Sequence, residues 1–101
     1  MGLYVDAPGM GPFQKDDFLI EHYGATRVVE PESLAEIPAE KMLICVVRNH
    51  AFDAAGIIFD ERELKRFTDP GDPRPRTWLL MDRETVLRLQ PEVADYLTRA
   101  D

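Results

Sequence analysis

The chain has little cysteine, no long apolar run and few basic residues, and each shortage excludes a class of protein. A single cysteine, Cys45, excludes an intrachain disulfide and suits a reducing compartment. The longest apolar run, MLICVV at residues 42–47, is far shorter than the roughly 20 residues of a membrane-spanning helix. The first residues also lack the basic and apolar stretches of a secretory signal. We therefore expect a cytoplasmic protein without membrane contact.

Basic residues are outnumbered, with 12 Lys and Arg against 19 Asp and Glu and a net charge of −7. Residues 1–60 hold ten acids and four bases, whereas residues 61–101 hold nine acids and eight bases. Binding to a phosphate backbone needs a basic footprint, so nucleic acid is not the expected partner. A basic protein partner is compatible with this charge, and the acids that would face it are Asp16, Asp17, Glu21, Glu30, Glu32, Glu36 and Glu40.

Motifs for metals and cofactors are also missing. The two histidines, His22 and His50, stand 28 residues apart, and no HExxH or CxxC pattern occurs. The sequence has no P-loop, no GxGxxG and no GxSxG. We expect neither a metal site nor a cofactor, and we expect a binding protein in preference to an enzyme.

The chain length allows one domain. Residues 1–12 are rich in Gly and Pro and are expected to form a flexible or docked N-terminal arm, followed by a single α+β domain over residues 13–101. The apolar run at residues 42–47 predicts a central strand covered on both faces. A strand at residues 54–59 follows after too few residues for a parallel crossover, so this pair is expected to be antiparallel.

Helix signals follow two of the predicted strands. Asp60 and Glu63 indicate a helix start after residues 54–59, and Asp82 is expected to cap another helix after a strand at residues 77–81. Further segments predict a helix at residues 14–23, a short strand at TRVV, a helical turn beginning at Ser33 and a last helix after Pro91. The expected fold is a two-layer α+β domain, a small mixed sheet of three to four strands with helices mainly on one face.

The segment FTDPGDPRPRTW, residues 67–78, is the least ordinary part of the sequence. If strand 77–81 lies beside strand 54–59 and parallel to it, the loops that precede both strands share one edge of the sheet. That edge would gather the candidate binding residues Asn49, His50, Asp72, Arg74, Arg76 and Trp78. Prolines at positions 70, 73 and 75 stiffen the loop, which suits a binding site and equally suits a structural strap.

Two functions stay open at this point. The first is a small acidic non-enzymatic interaction module that binds another macromolecule, such as an inhibitor or regulatory accessory protein, whose partner is a different protein or a second copy in a homo-oligomer. The second is a small enzyme or ligand-binding domain for a phosphate or carboxylate, held by Arg74 and Arg76. In that case His50 and Asp53 are the catalytic acid–base pair.

Overall fold

A five-stranded antiparallel sheet lies at the centre of the structure, a computed structural model that describes residues 2–99. The strands are β1 (Leu3–Tyr4), β2 (Thr26–Val28), β3 (Lys41–Arg48), β4 (Asp53–Ile58) and β5 (Arg76–Asp82), in the spatial order β1-β4-β3-β5-β2. The helices are α1 (Lys15–Tyr23), α2 (Glu61–Phe67), α3 (Arg83–Leu89) and α4 (Val93–Arg99), with a short 3-10 helix at Leu34–Glu36. The first residue of the expected arm and the last two of the expected domain lie outside the described residues.

The α+β class and the central position of the apolar run are confirmed. Strand β3 contains that run, and its residues 42–47 are buried because both faces of the strand are covered. Two features of the predicted sheet are wrong. The sheet has five strands, since Leu3 and Tyr4 add a strand too short to show a pattern, and every strand pair is antiparallel.

The position of β5 also differs from the prediction. Strand β5 pairs with β3, Val47 lying opposite Arg76, so β3 separates β5 from β4. Strands β4 and β5 still run in the same direction, because each is antiparallel to β3. The connection through α2 therefore crosses over β3, and the starts of β4 and β5 remain at one edge of the sheet.

Helices cover both faces of the sheet, so the fold has three layers where two were expected. On one face, Leu19 of α1, Val86 of α3 and Val93 of α4 pack against strand residues such as Ile44 and Ile57. The other face is covered by α2 and the 3-10 helix. Leu64 and Phe67 of α2 belong to the same apolar cluster as Leu43, Cys45 and Trp78 of the sheet. The crossover is the reason for the third layer, because it carries α2 across β3.

Most of the helix boundaries follow their sequence signals. The Asp60 carboxylate accepts a hydrogen bond of 2.8 Å from the backbone N–H of Glu63 and caps α2. Gly24 ends α1 with φ of 70°, a conformation in which glycine is free of strain. Asp82 does not cap α3: it is the last residue of β5, and its carboxylate instead accepts a 2.6 Å bond from Lys41 Nζ.

The N-terminal arm lies along the outer edge of β4. Leu3 and Tyr4 pair with Ile57 and Gly56 of β4. The arm then turns and comes back to the start of β4 at Pro12. The carbonyl of Pro12 accepts a 2.7 Å hydrogen bond from the N–H of Asp53. The arm thus brings Tyr4 and the start of α1 beside the β3–β4 turn.

Candidate functional site

The candidate site is the edge of the sheet where β3 ends and where β4 and β5 begin, which we call the loop edge. A tight turn, residues 49–52, joins β3 to β4, and the N–H of Asn49 donates to the carbonyl of Phe52 at 3.2 Å. Residues 68–75 lead into β5, and the carbonyl of Pro75 accepts a 3.0 Å bond from the N–H of Arg48. The two loops are therefore joined at the end of β3.

Arg74 connects the two loops through its side chain. Its Nη1 donates a 2.7 Å hydrogen bond to Asn49 Oδ1, and its Nη2 donates a 2.6 Å bond to Asp72 Oδ2. Its Nε lies 2.9 Å from Asp72 Oδ1. These bonds from the Arg74 side chain and backbone hold the pKa of Asp72 well below its usual range, and the same pairing raises the pKa of Arg74. Arg74 thus fixes the shape of the loop edge.

Arg76 and Trp78 point away from this surface. The Arg76 side chain is 15% exposed, and its Nη2 donates to the carbonyls of Asp69 and Asp72 at 3.2 and 3.3 Å. Trp78 is buried against Cys45 and Leu64. Arg76 and Trp78 therefore do not contribute to the surface of the loop edge as expected, because strand alternation turns both side chains toward the face that α2 covers.

His50 and Asp53 lie in different environments. His50 is exposed in the β3–β4 turn, whereas Asp53 is fully buried. Asp53 Oδ2 accepts a bond of 3.3 Å from the N–H of Lys15, and Asp53 Oδ1 lies 3.5 Å from Arg48 Nε. A hydrogen bond thus ties the Asp53 carboxylate to α1 and an ion pair ties it to Arg48 of β3. Neither contact orients His50.

A buried carboxylate cluster lies beneath the loop edge. Asp16 of α1 is nearly buried, and Arg48 Nη2 stands 4.0 Å from its Oδ1. Thr77 Oγ1 donates to Asp16 Oδ2 at 3.4 Å, and Arg27 Nη2 is 3.5 Å from the same oxygen. Arg48 therefore stands between Asp16 and Asp53. Asp16 was expected among the acids that face a basic partner, and its burial removes it from that set.

A cleft opens on the loop edge beside the arm, and we call it the loop-edge cleft. Two aromatic side chains line it, Tyr4 at 41% and Phe52 at 49% exposure. Lys15 Nζ lies 5.9 Å from the centroid of the Phe52 ring. The full lining is Tyr4, Lys15, Asn49, His50, Ala51, Phe52, Ala54, Ala55 and Arg74. This lining contains three basic side chains and no acidic one.

The cleft unites predicted and unpredicted residues. Asn49, His50 and Arg74 were candidates from the sequence, and the structure brings them together with Asp72 behind Arg74. Sequence reasoning missed Tyr4, Lys15 and Phe52. Phe52 could have been predicted, because an aromatic residue in a polar turn has no core position to fill. Tyr4 and Lys15 could not, because they lie in the cleft only where the arm and the start of α1 pack beside β4.

Three features outside the cleft also bear on its chemistry and its setting. Burial raises the pKa of the Cys45 thiol to about 12, so this thiol is not an activated nucleophile. Within residues 2–99, no three His, Cys, Asp or Glu side chains converge as metal ligands. None of the helices in this part of the chain has the length and apolar character needed to cross a bilayer.

Comparison with protein-family models, curated proteins and solved structures finds no match to this chain.

Proposed function

We propose that the protein is a non-enzymatic interaction module that captures a protein partner through the loop-edge cleft. The observation that carries the proposal is the grouping of exposed aromatic side chains. Among residues 2–99, the large exposed hydrophobic residues are Tyr4, Phe13, Val29 and Phe52, and two of these four line one cleft. Grouped exposed apolar side chains beside polar groups are typical of protein-binding surfaces.

The construction of the cleft supports this function. Its floor is the start of β4, and its rim is held by the Arg74–Asn49 bond. Pro73 and Pro75 flank Arg74 and restrict the loop backbone. A rim ordered before binding loses little conformational entropy on association, which favours affinity. An inhibitor or a regulatory accessory protein would use such a surface, since neither role needs a reacting group.

The geometry favours this function over the capture and turnover of a small anion. That alternative needs Arg74 and Arg76 to hold a phosphate or carboxylate. Arg74 already bonds Asp72 and Asn49, and Arg76 bonds the carbonyls of its own loop. If the protein were an enzyme, Asp53 would have to orient His50. The Asp53 carboxylate instead accepts its hydrogen bond from the backbone N–H of Lys15.

The acidic surface is a weaker candidate for the binding site. Glu36 accepts hydrogen bonds from the N–H groups of Glu32 and Ser33 and so stabilises the start of the 3-10 helix. Asp17 pairs with Arg27 at 2.9 Å. These roles explain part of the acidic set through the fold itself.

The test replaces one aromatic side chain of the cleft and one exposed apolar side chain elsewhere. Tagged wild-type protein, Phe52→Ser and Val29→Ser are used to purify partners from the native source, with quantitative mass spectrometry as readout. Val29 is 89% exposed and lies outside the cleft, so it is a matched control. We expect Phe52→Ser to lose the partner, with affinity lowered about tenfold or more as for a central aromatic contact, and Val29→Ser to keep it.

Thermal unfolding of both variants controls for folding, and a change within about 0.5 kcal/mol is expected for exposed positions. Recovery of the same proteins in the same amounts by Phe52→Ser and wild type would refute the proposed site.

A further inference from the structure

The lining of the loop-edge cleft is basic although the protein as a whole is acidic. The chain carries a net charge of −7, yet the loop-edge cleft is lined by Lys15, His50 and Arg74 and by no acid. An adjoining depression shares His50 and Arg74 and adds Arg48, again without an acidic side chain in its lining. These basic side chains are thus concentrated in the linings of the two clefts, apart from the acidic side chains of the protein.

Three acids that lie beside the two clefts are turned inward, whereas Asp69 of the same loop is exposed and lines neither cleft. The side chains of Asp53, Asp16 and Asp72 are 1%, 9% and 20% exposed. The arginines paired with them stay at the surface, with Arg48 57% and Arg74 48% exposed. Each of these ion pairs therefore presents its cationic side to solvent.

We infer that the occupant of the loop-edge cleft is an acidic, extended segment of another protein, with an aromatic or aliphatic side chain between its carboxylates. This inference rests on the proposed function and adds the chemistry of the partner. The apolar side chain lies against Tyr4 and Phe52, and the carboxylates face Lys15, whose ammonium group has no ion pair among the described residues. Charge complementarity of this kind selects the partner and speeds the encounter.

A short acidic peptide fits better than a nucleic acid, although aromatic and basic residues also form single-strand platforms. A polyphosphate backbone extends past the cleft and would be repelled by the net negative charge of the protein. Charges at a protein surface are screened within about 10 Å at ordinary ionic strength. A segment with a few carboxylates therefore responds mainly to the local bases.

The experiment selects peptides from a random library on the wild-type protein and repeats the selection on Phe52→Ser. Peptides that need Phe52 report on the cleft. Their affinities are then measured by fluorescence anisotropy against wild type, Lys15→Glu and Arg62→Glu. Arg62 is exposed in the first turn of α2, at the opposite edge of the sheet, and Arg62→Glu changes the net charge equally.

The expected result is that the Phe52-dependent peptides are enriched in Asp and Glu around an aromatic or aliphatic residue. Their Kd should rise about tenfold in Lys15→Glu, as for a close interfacial charge pair, and rise further with added salt. Arg62→Glu should stay within about twofold of wild type, because screening removes its effect at that distance.

Two results overturn the inference and leave the proposed function standing. The first is enrichment of Phe52-dependent peptides that are neutral or basic. The second is equal loss of affinity in Lys15→Glu and Arg62→Glu. Two further results do the same: a library that yields no Phe52-dependent peptide, and a Phe52-dependent dimer of the chain in sedimentation velocity. Phe52-dependent binding of oligothymidine in place of peptides contradicts the proposed function as well.

Discussion

Gly56 should not tolerate a side chain, because Phe67 of α2 packs directly on its Cα. A Cβ built on Gly56 would lie 2.4 Å from Phe67 Cζ and 2.9 Å from Cε1. Ordinary carbon contacts begin near 3.4 Å, so the ring would have to move by about 1 Å. Phe67 is 8% exposed and belongs to the core on that face of the sheet, so such a shift disturbs its neighbours.

The expected cost of Gly56→Ala follows from two opposing effects. Overpacking a core costs about 1–3 kcal/mol, and replacing a strand glycine by alanine recovers about 0.5–1 kcal/mol of backbone entropy. We therefore expect a net destabilisation of about 1–2 kcal/mol, read from urea unfolding. This corresponds to a melting temperature lowered by about 4–8 °C for each kcal/mol in a domain of this size.

Two further variants separate the clash from a general effect of alanine. Gly11→Ala is the control, since nothing lies within 4 Å of its added Cβ, and its stability should stay near that of wild type. Phe67→Leu removes the ring atoms that clash, so Gly56→Ala should cost less in the Phe67→Leu background than alone. A Gly56→Ala variant as stable as wild type would contradict the predicted clash. Equal costs of Gly56→Ala in the wild-type and Phe67→Leu backgrounds would contradict it as well.

Three more predictions concern buried or paired groups. Asp53→Ala should lower the free energy of unfolding by about 1–3 kcal/mol in urea, because Lys15 loses its buried acceptor; Asp53→Asn, which keeps an acceptor oxygen, should lose less. Asp72 should remain charged at pH values where an ordinary aspartate takes up its proton, because Arg74 lowers its pKa; carbon NMR titration measures this. The stability that this pair contributes is present above the unfolded pKa and is lost as pH falls through the lowered folded value. Cys45, with burial raising its pKa to about 12, should react with a disulfide reagent at pH 8 only at the rate at which the protein opens.

Each of these has a result that contradicts it. Asp53→Ala with unchanged stability would mean that the Lys15 contact contributes nothing. An ordinary midpoint for Asp72 would show that the Arg74 bonds are broken in solution. Labelling of Cys45 as fast as a free thiol, without denaturant, would place the thiol at the surface.

Local patterns predicted most of the elements. The helix at residues 14–23 is found as α1, and the strands expected at residues 42–47 and 54–59 are β3 and β4 within one or two residues. The cap at Asp60 forms its hydrogen bond to Glu63. These features depend on side-chain period, capping and loop length, and each of these acts over a few neighbouring residues.

The gathering of Asn49, His50 and Arg74 was predicted through a strand pairing that does not occur. Strand β3 lies between β4 and β5, yet the three residues still meet, because two strands antiparallel to a common neighbour start at the same edge. Whether these residues meet depends on the direction in which β5 runs relative to β4. It does not depend on which strand lies next to β5 in the sheet.

The sequence by itself determined the succession of helices and strands, the antiparallel turn after β3, the charge of the chain and the stiff loop before β5. Only the tertiary structure decided that Asp16 is buried and that Trp78 faces α2. It also decided that the arm brings Tyr4 beside Phe52. The physical reason is distance along the chain: propensity and capping are local, whereas the exposure of a side chain depends on which remote segments pack over it.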